Sequence, residues 1–186
     1  MTTRRQFITS ASAAIAGLSA GPALAQGWTV PQDFMPRLIQ HGREYYAPGE
    51  VHVEPTERRL YWVLNDGYAI RYTVGIGRAG LYESGDFTIG AKKEWPSWTP
   101  TPDMIERDPD SYEQYADGMP GGPENPLGAR ALYLFSGNRD TFLRIHGTNV
   151  PWTINSAVSN GCVRLVNSHI AHLYTQVPIG TRAVLH

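Results

Sequence analysis

Cysteine is nearly missing from this chain, which has one, Cys162, among its 186 residues. A single cysteine excludes an internal disulfide framework, so the thiol is either inert and buried or reactive. Net charge is scarce as well, because 16 Lys and Arg residues nearly balance 17 Asp and Glu residues, leaving a formal net charge of -1. A nearly neutral chain has no strong attraction to nucleic acid or to an anionic membrane surface. We therefore expect neither partner.

Metal-binding and phosphate-binding patterns are also missing. His52, His169 and His172 have no partners at metal-ligand spacing, and there is no glycine-rich phosphate loop. We expect no metal and no cofactor, and we expect His169 and His172, three residues apart on a helix, to lie at the surface. Hydrophobic residues make up 41% of the chain and charged residues 18%, which is typical of a globular protein. With 19 Gly, 14 Pro, 10 Tyr and 5 Trp, the composition favours a turn-rich β protein.

Residues 1–25 have the pattern of an export signal. Residues 3–8 resemble a twin-arginine export signature, and a mildly apolar, Ala-rich run follows as far as Ala20. Ala23-Leu24-Ala25 offers small residues at the two positions that a signal peptidase reads. The apolar run is too short and too poor in Leu and Ile to make a good membrane span. We expect cleavage before Gln26, export to the periplasm by the twin-arginine route, and no transmembrane segment in the mature chain.

The mature chain is predicted to form one domain, residues 50–186, after a tail at 26–49 that lacks clear periodicity. Strands are predicted at 51–54, 59–64, 68–74, 87–90, 131–135, 141–145 and 182–185. Asn65-Asp66-Gly67 is the hairpin signal, and Asn167 is predicted to cap a helix that runs to about Tyr174. The loop at 95–128 is long for a compact domain. We expect it to be an insertion with one short helix, packed over the sheet where it can act as a lid.

The stretch around Cys162 has the residue types that acyl transfer by a thiol requires. A thiolate attacking an acyl carbon needs a base for its proton, close access to backbone, and N–H donors for the oxyanion. His146 ends an apolar run, Gly147 follows it, and Gly161 precedes Cys162. A nearby imidazole or imidazolium lowers the pKa of a thiol. The alternatives are a small buried cysteine and a core histidine at the end of a strand.

These motifs resemble the L,D-transpeptidase catalytic domain (the YkuD type) over roughly residues 50–186. The resemblance rests on Gly75-Ile76-Gly77-Arg78, Ile89-Gly90, Asn125-Pro126-Leu127-Gly128-Ala129-Arg130-Ala131, Ile145-His146-Gly147-Thr148, Ser159-x-Gly161-Cys162-Val163-Arg164-Leu165, Asn167 and Val177-Pro178-Ile179-Gly180-Thr181. It implies a mostly-β, sandwich-like catalytic domain with short helices and a long loop insertion. It also implies a bacterial cell-wall enzyme.

The resemblance implies that Cys162 is the nucleophile of a peptidoglycan L,D-transpeptidase. It would attack the carbonyl between the third and fourth residues of a tetrapeptide stem and release D-Ala. The acyl group would pass to another stem, giving a 3→3 cross-link, to an outer-membrane protein or lipoprotein, to a free D-amino acid, or to water. His146 would be the general base and then the general acid. The motif has no carboxylate to orient this ring, so the family pattern implies a backbone carbonyl, such as that of Gly147.

The residues beside Cys162 keep open alternatives. Ser159, Asn160 and Gly161 are expected to support an oxyanion hole of backbone N–H groups, with Ser159 otherwise a structural turn residue. Many family members have His at the position of Asn160. The difference is harmless if that residue contributes only its backbone, and it alters rate or acceptor choice if the imidazole matters. Arg164 either binds a stem carboxylate or holds the loop, and we favour the second role.

Aromatic residues are candidates to line a substrate groove, with ordinary packing as the alternative for each: Tyr133, Trp95, Trp98 and Trp152. Two other functions remain open. One is a hydrolase on the same fold that passes the acyl group to water, and the other is a cell-wall-binding module that has lost turnover. A redox role is disfavoured, because the chain has no second cysteine to resolve an oxidised thiol.

Overall fold

The computed structural model describes residues 27–186, so the predicted export segment lies outside the described residues. The strands are β1 (Arg37–Gln40), β2 (Val51–Glu54), β3 (Arg59–Val63), β4 (Tyr68–Thr73), β5 (Ile76–Gly77), β6 (Gly85–Glu94), β7 (Arg130–Ser136), β8 (Arg139–His146), β9 (Ala157–Ser159), β10 (Val163–Arg164) and β11 (Arg182–Leu185). The α-helices are α1 (Pro102–Arg107), α2 (Pro109–Tyr112) and α3 (Asn167–Gln176), and the turns of 3-10 helix are Gln32–Phe34, Glu113–Tyr115 and Pro151–Thr153. Within residues 27–186, none of the helices has the length and apolar character needed to cross a membrane.

The described strands form one large curled sheet and one small sheet. The large sheet has the order β1-β4-β3-β2-β11-β6-β7-β8-β10, and β5 pairs with β9 in the small one. The pairs β2–β11, β8–β10 and β5–β9 are parallel. The large sheet curls so that the chain just after β4 reaches its far end, where Gly75 exchanges two 2.8 Å backbone hydrogen bonds with Arg164 of β10. The predicted mostly-β fold is confirmed.

The larger of the two hydrophobic clusters among residues 27–186 fills the curled sheet. Leu60 of β3 and Ile145 and Val163 of β8 and β10 are buried in the same cluster as Ile170 and Leu173 of α3. Removing a Leu or Ile side chain from water stabilises a fold by about 1.5–3 kcal/mol. The core therefore fixes β8, which carries His146, and β10, which precedes α3.

The sheet confirms the predicted hairpin and adds a strand in the predicted tail. The hairpin between β3 and β4 is confirmed, with Asp66 at φ 59° and Gly67 at φ 75°, the left-handed conformations that a tight hairpin turn requires. The predicted tail at 26–49, which lacks clear periodicity, contains one strand that the sequence did not indicate, β1, which pairs antiparallel with β4. β1 is mostly exposed at the edge of the sheet and is held by backbone pairing. Edge pairing of this kind leaves no hydrophobic period in the sequence.

Two predictions on α3 are wrong. His169 is only 3% exposed, because it lies on the side of α3 that also buries Ile170 and Leu173. Its neighbour His172 is exposed, as predicted, and its Nδ1 shares a 2.7 Å hydrogen bond with the Tyr72 hydroxyl. Asn167 does not cap the helix, since the residue before α3 is Val166 and the Asn167 side chain bonds outside the helix.

The insertion at 95–128 is folded, with α1 and α2 where one short helix was predicted. Thr101 and Asp108 cap these helices through their side chains, as residues at helix N-termini commonly do. The ring of Trp98 packs edge-on against Tyr112 and Tyr115, with centroid distances of 6.2 and 5.8 Å. Tyr112 and Tyr115 are thereby held on one small aromatic cluster.

Candidate active site

The register of β8 and β10 brings the segment that contains Cys162 beside the segment that ends at His146. These strands are parallel neighbours, with Val163 opposite Ile145 and Arg164 opposite His146. Cys162 directly precedes β10, so it lies beside the end of β8 that carries His146. The charges of Arg144 and Arg164 act on both groups. The two residues, sixteen positions apart in the motif, therefore lie on adjacent segments of the fold.

The imidazole of His146 is held by backbone. Its Nδ1 lies 2.7 Å from the carbonyl oxygen of Gly147, the residue that the family pattern implied for this role. A carbonyl oxygen can only accept, so Nδ1 carries the hydrogen and Nε2 is left with a lone pair. This is the tautomer that a general base needs. The geometry requires no carboxylate to orient the ring.

Burial keeps both members of the pair neutral. Burial, together with the positive charge of Arg164, lowers the pKa of His146 to about 3, although the carbonyl groups of Gly147 and Leu127 act in the opposite sense. Burial also raises the pKa of the Cys162 thiol, although the backbone N–H of Arg144 and the nearby guanidinium groups offset part of that effect. The expected lowering of the thiol pKa is therefore wrong. At neutral pH the resting site has a thiol and a neutral imidazole.

The conformation of the loop from Ser159 to Cys162 is held by a side-chain hydrogen bond and requires glycine at position 161. The Ser159 hydroxyl donates a 2.6 Å hydrogen bond to the carbonyl of Cys162, which gives Ser159 the structural role left open above. Gly161 has φ 122°, and a Cβ there would come within 2.9 Å of the Leu81 carbonyl oxygen, so only glycine fits. Among residues 27–186, no acceptor is bonded to the backbone N–H of Cys162. That N–H is free to donate to a developing oxyanion.

Asn160 uses both ends of its side-chain amide. Its Oδ1 accepts a 3.0 Å hydrogen bond from Arg78, which follows β5. Its Nδ2 donates a 2.8 Å hydrogen bond to the hydroxyl of Tyr112 at the end of α2. The side chain thus joins three segments of the chain: the catalytic loop, the strand beside it, and the insertion.

Arg164 is 8% exposed and points into the protein. Its guanidinium donates hydrogen bonds to the hydroxyl and, at 3.5 Å, to the carbonyl of Thr153. Its backbone pairs with Gly75, where the sheet closes. These contacts favour the loop-holding role over the binding of a substrate carboxylate.

The aromatic candidates do not form one cluster in the structure. Tyr133 on β7 is half-buried beneath the guanidinium of Arg144, 4.0 Å from its ring centroid. Trp152 is 62% exposed on the 3-10 turn beside Thr153, and Trp95 is exposed at the start of the insertion. Trp98 packs against the tyrosines of the insertion. Tyr133 is the candidate nearest the site, since Arg144 acts on both its ring and the Cys162 thiol.

Phe142 is a site residue that sequence reasoning missed. Its carbonyl oxygen lies 3.9 Å from Cys162 Sγ, and its ring is 70% exposed. It has φ 63°, a left-handed conformation that is strained for an aromatic residue. Asp140 supports this conformation by accepting a 2.9 Å hydrogen bond from the Phe142 N–H and by pairing with Arg144 through both carboxylate oxygens. Asp two residues before a turn position is a weak sequence signal for such a bend.

Among residues 27–186, no group of three or more His, Cys, Asp or Glu side chains is arranged to hold a metal ion. The groups assembled around Cys162 are instead a thiol, a fixed neutral imidazole and a free backbone donor. This set can perform nucleophilic acyl transfer with general base assistance.

Residues 48–185 match the family of the L,D-transpeptidase catalytic domain, YkuD, and the chain belongs to this family. The Escherichia coli K12 protein named Probable L,D-transpeptidase ErfK/SrfK is 34% identical over 158 residues, which are 83% of this chain and 47% of that protein. Probable L,D-transpeptidase YbiS of the same strain is 34% identical over 159 residues, 80% of this chain and 50% of that protein. The chain spans about half the length of these curated relatives.

Solved structures share the fold. A Brucella melitensis structure, described as a probable carnitine operon oxidoreductase caia, is 48% identical and has a TM-score of 0.57. The match covers 82% of this chain and 93% of the Brucella chain. An L,D-transpeptidase from Mycobacterium smegmatis has a TM-score of 0.53 at 16% identity, over 73% of this chain and 57% of its own. The C442S mutant of Enterococcus faecium L,D-transpeptidase has a TM-score of 0.54 at 14% identity, over 75% of this chain and 50% of the Enterococcus chain. At these low identities the last two support the fold alone.

Proposed function

We propose that this protein is an exported peptidoglycan L,D-transpeptidase with Cys162 as nucleophile and His146 as general base. The observation that carries the proposal is the hydrogen bond from His146 Nδ1 to the Gly147 carbonyl, on the strand beside Cys162. It leaves Nε2 able to accept the proton of a thiol. Membership of the L,D-transpeptidase family supplies the reaction class.

Acylation begins from the neutral pair. As the sulfur of Cys162 attacks the carbonyl carbon of the third stem residue, its proton passes to His146 Nε2. The negative charge that develops on the carbonyl oxygen is stabilised by the Cys162 N–H and its neighbours in the loop. His146 then returns the proton to the amine of the fourth residue, D-Ala, which leaves. A thioester between Cys162 and the stem remains.

Transfer repeats these steps in reverse. An acceptor amine attacks the thioester carbonyl, and His146 takes a proton from that amine. His146 then gives this proton to the sulfur of Cys162 as the C–S bond breaks, which restores the thiol. The acceptor is the side-chain amine of a second stem, giving a 3→3 cross-link, or the amine of an anchored outer-membrane protein or lipoprotein. Because burial lowers the pKa of His146, its imidazolium is short-lived and the site favours proton transfer in step with bond formation.

The Brucella relative, described as an oxidoreductase, raises a second reaction class. A thiol that cycles with a disulfide inside one chain requires two cysteines, and this chain has one. The fixed imidazole beside the thiol is the feature that acyl transfer uses and that a lone redox thiol does not need. We therefore favour acyl transfer.

Mass spectrometry of the purified protein with a disaccharide-tetrapeptide tests the reaction. The expected result is an adduct on Cys162 with loss of D-Ala, followed by a cross-linked dimer. Cys162→Ala should give no adduct, and His146→Ala should slow its formation by about 100-fold or more. His172→Ala, a change of a histidine outside the site, is the matched control. An adduct that yields only tripeptide would indicate a hydrolase, and bound peptide without any adduct would indicate a non-catalytic wall-binding module.

Export is proposed from residues 1–25. The paired Arg4 and Arg5 and the Ala23-Leu24-Ala25 site support cleavage before Gln26 and delivery to the periplasm. Cell fractionation should recover a protein that begins at Gln26 from the periplasm. Replacing Arg4 and Arg5 together by lysine should leave the uncleaved chain in the cytoplasm. A periplasmic yield unchanged by that replacement would contradict the twin-arginine route.

A further inference from the structure

The catalytic loop is tied to the insertion by one hydrogen bond. Asn160 Nδ2 donates to the Tyr112 hydroxyl at 2.8 Å, across 48 positions of sequence. The other end of the same amide accepts from Arg78 at 3.0 Å. Asn160 is therefore fixed from both sides, and rotation of its side chain would break both bonds.

Asn160 matters because of its place in the chain. It directly precedes Gly161 and Cys162, the proposed nucleophile. Gly161 lies in a left-handed conformation, in which glycine has wide freedom of rotation. The Ser159 side chain bonds the loop only to itself, because it donates to the Cys162 carbonyl and accepts from the Gly161 N–H at 3.4 Å. The side chain of Asn160 is thus a direct link between this loop and the insertion.

Tyr112 is itself held in place. It is the last residue of α2, whose first turn is capped by Asp108, and its ring packs against Trp98. Trp98 in turn pairs with Met119 through two backbone hydrogen bonds of 3.0 and 2.7 Å. A backbone hydrogen bond of 2.9 Å from Trp95 to Ala129 joins the start of the insertion to the body of the domain. The insertion is a folded support that holds the Tyr112 hydroxyl against the loop.

From these contacts we infer that Tyr112 is a positioning residue for the reaction. Through Asn160 it sets the orientation of the peptide groups that precede and include Cys162. The insertion therefore contributes to turnover without touching the reacting atoms. This inference deepens the proposed transpeptidase function and rests on it. The inference also explains why asparagine suits position 160, since its side-chain amide can donate to Tyr112 and accept from Arg78 at once.

Tyr112→Phe tests the inference, because it removes one oxygen and keeps the ring against Trp98. Two quantities are measured: amide hydrogen exchange in the peptide that contains residues 159–162, and steady-state kinetics with the disaccharide-tetrapeptide. We expect loop exchange to be at least fivefold faster and kcat to be roughly threefold to tenfold lower, as for loss of one neutral hydrogen bond. KM should stay within twofold, because the substrate loses no contact.

Tyr115→Phe is the matched control. Its ring packs on the same tryptophan, and the structure gives its hydroxyl no bond to the catalytic loop. It should leave exchange and kcat unchanged. In addition, Tyr112→Phe made on top of Asn160→Ala should cost nothing further, because the bond is already lost.

The outcomes separate the inference from the function on which it rests. If Tyr112→Phe matches Tyr115→Phe in both measurements, or exchanges faster with unchanged kcat, the positioning role is refuted. If the unmodified protein turns over no stem peptide, the proposed function fails. The exchange comparison then decides alone whether Tyr112 holds the loop.

Discussion

Asn167 holds the segment that follows His146, the proposed general base, and its replacement should destabilise the fold strongly. Its Oδ1 accepts hydrogen bonds from the backbone N–H groups of Ala129 and Thr148, at 3.0 and 3.1 Å. Both donors belong to buried residues. A Cβ on Gly128 or on Gly147 would collide with the same oxygen, so the two glycines make room for this contact. One side-chain oxygen thereby joins β7, the His146 loop and α3.

Asn167→Ala leaves two buried donors without a partner. Each unsatisfied donor costs about 1–3 kcal/mol, so we expect the free energy of unfolding to fall by about 2–6 kcal/mol. For a domain of this size the melting temperature should fall by about 5–20 °C. Thermal and urea unfolding, followed by circular dichroism, measure both quantities.

Two further variants distinguish this contact from the helix cap that the sequence predicted. Asn167→Asp keeps an oxygen at the same reach and should stay within about 1 kcal/mol of the original protein. Asn167→Ser is too short to reach both donors and should resemble Asn167→Ala, whereas serine would serve well as an N-cap. A loss below about 0.5 kcal/mol in Asn167→Ala, or a fully stable Asn167→Ser, would refute the reasoning.

Three further predictions concern the catalytic pair and its neighbour. Phe142→Gly should raise the free energy of unfolding by about 0.5–1 kcal/mol in urea titration, since glycine tolerates φ 63° and the exposed ring loses little burial, while Phe142→Ala should give no gain. Because burial raises the pKa of the Cys162 thiol, its alkylation by iodoacetamide should be slower at pH 7 than that of a free cysteine and should keep rising above pH 9; a plateau below pH 8 would contradict this. The pKa of His146 falls from its ordinary value of 6.5 to about 3 on folding. Below pH 6.5 the native state therefore binds fewer protons at this residue than the unfolded state does. This contribution to stability is present above that pH and is lost as the pH falls. Between pH 6.5 and 5 the unfolding free energy should drop by about 2 kcal/mol more than in His146→Asn, and equal slopes would disprove the assignment.

The fold class could be predicted, and the pair proposed as catalytic could be chosen, because local patterns carry both. Cys162 is the only thiol in the chain, and His146 ends a strand whose apolar run is visible in the sequence. The turn at Asn65-Asp66-Gly67 needs positive φ, and the residues that tolerate it are present. The position of Gly161 could be interpreted in the same way, because close backbone approach demands glycine.

Other features could not be predicted, because they depend on which segments meet. β1 is a strand only because β4 offers it an edge, and His169 is buried only because its side of α3 meets the core. The conformation of Phe142 follows from Asp140 and Arg144, and no residue preference predicts an aromatic side chain at φ 63°. The direction of the Cys162 pKa shift depends on burial, which the motif does not contain.

By itself the sequence determined the chemical groups of the site and the turns that deliver them, because residue type and short-range spacing specify both. Tertiary structure alone decided how those groups are held. The bond from Asn160 to Tyr112 and the contacts from Asn167 to Ala129 and Thr148 join residues 19 to 48 positions apart. Such contacts form only when the curled sheet brings distant segments together, and no local preference encodes them.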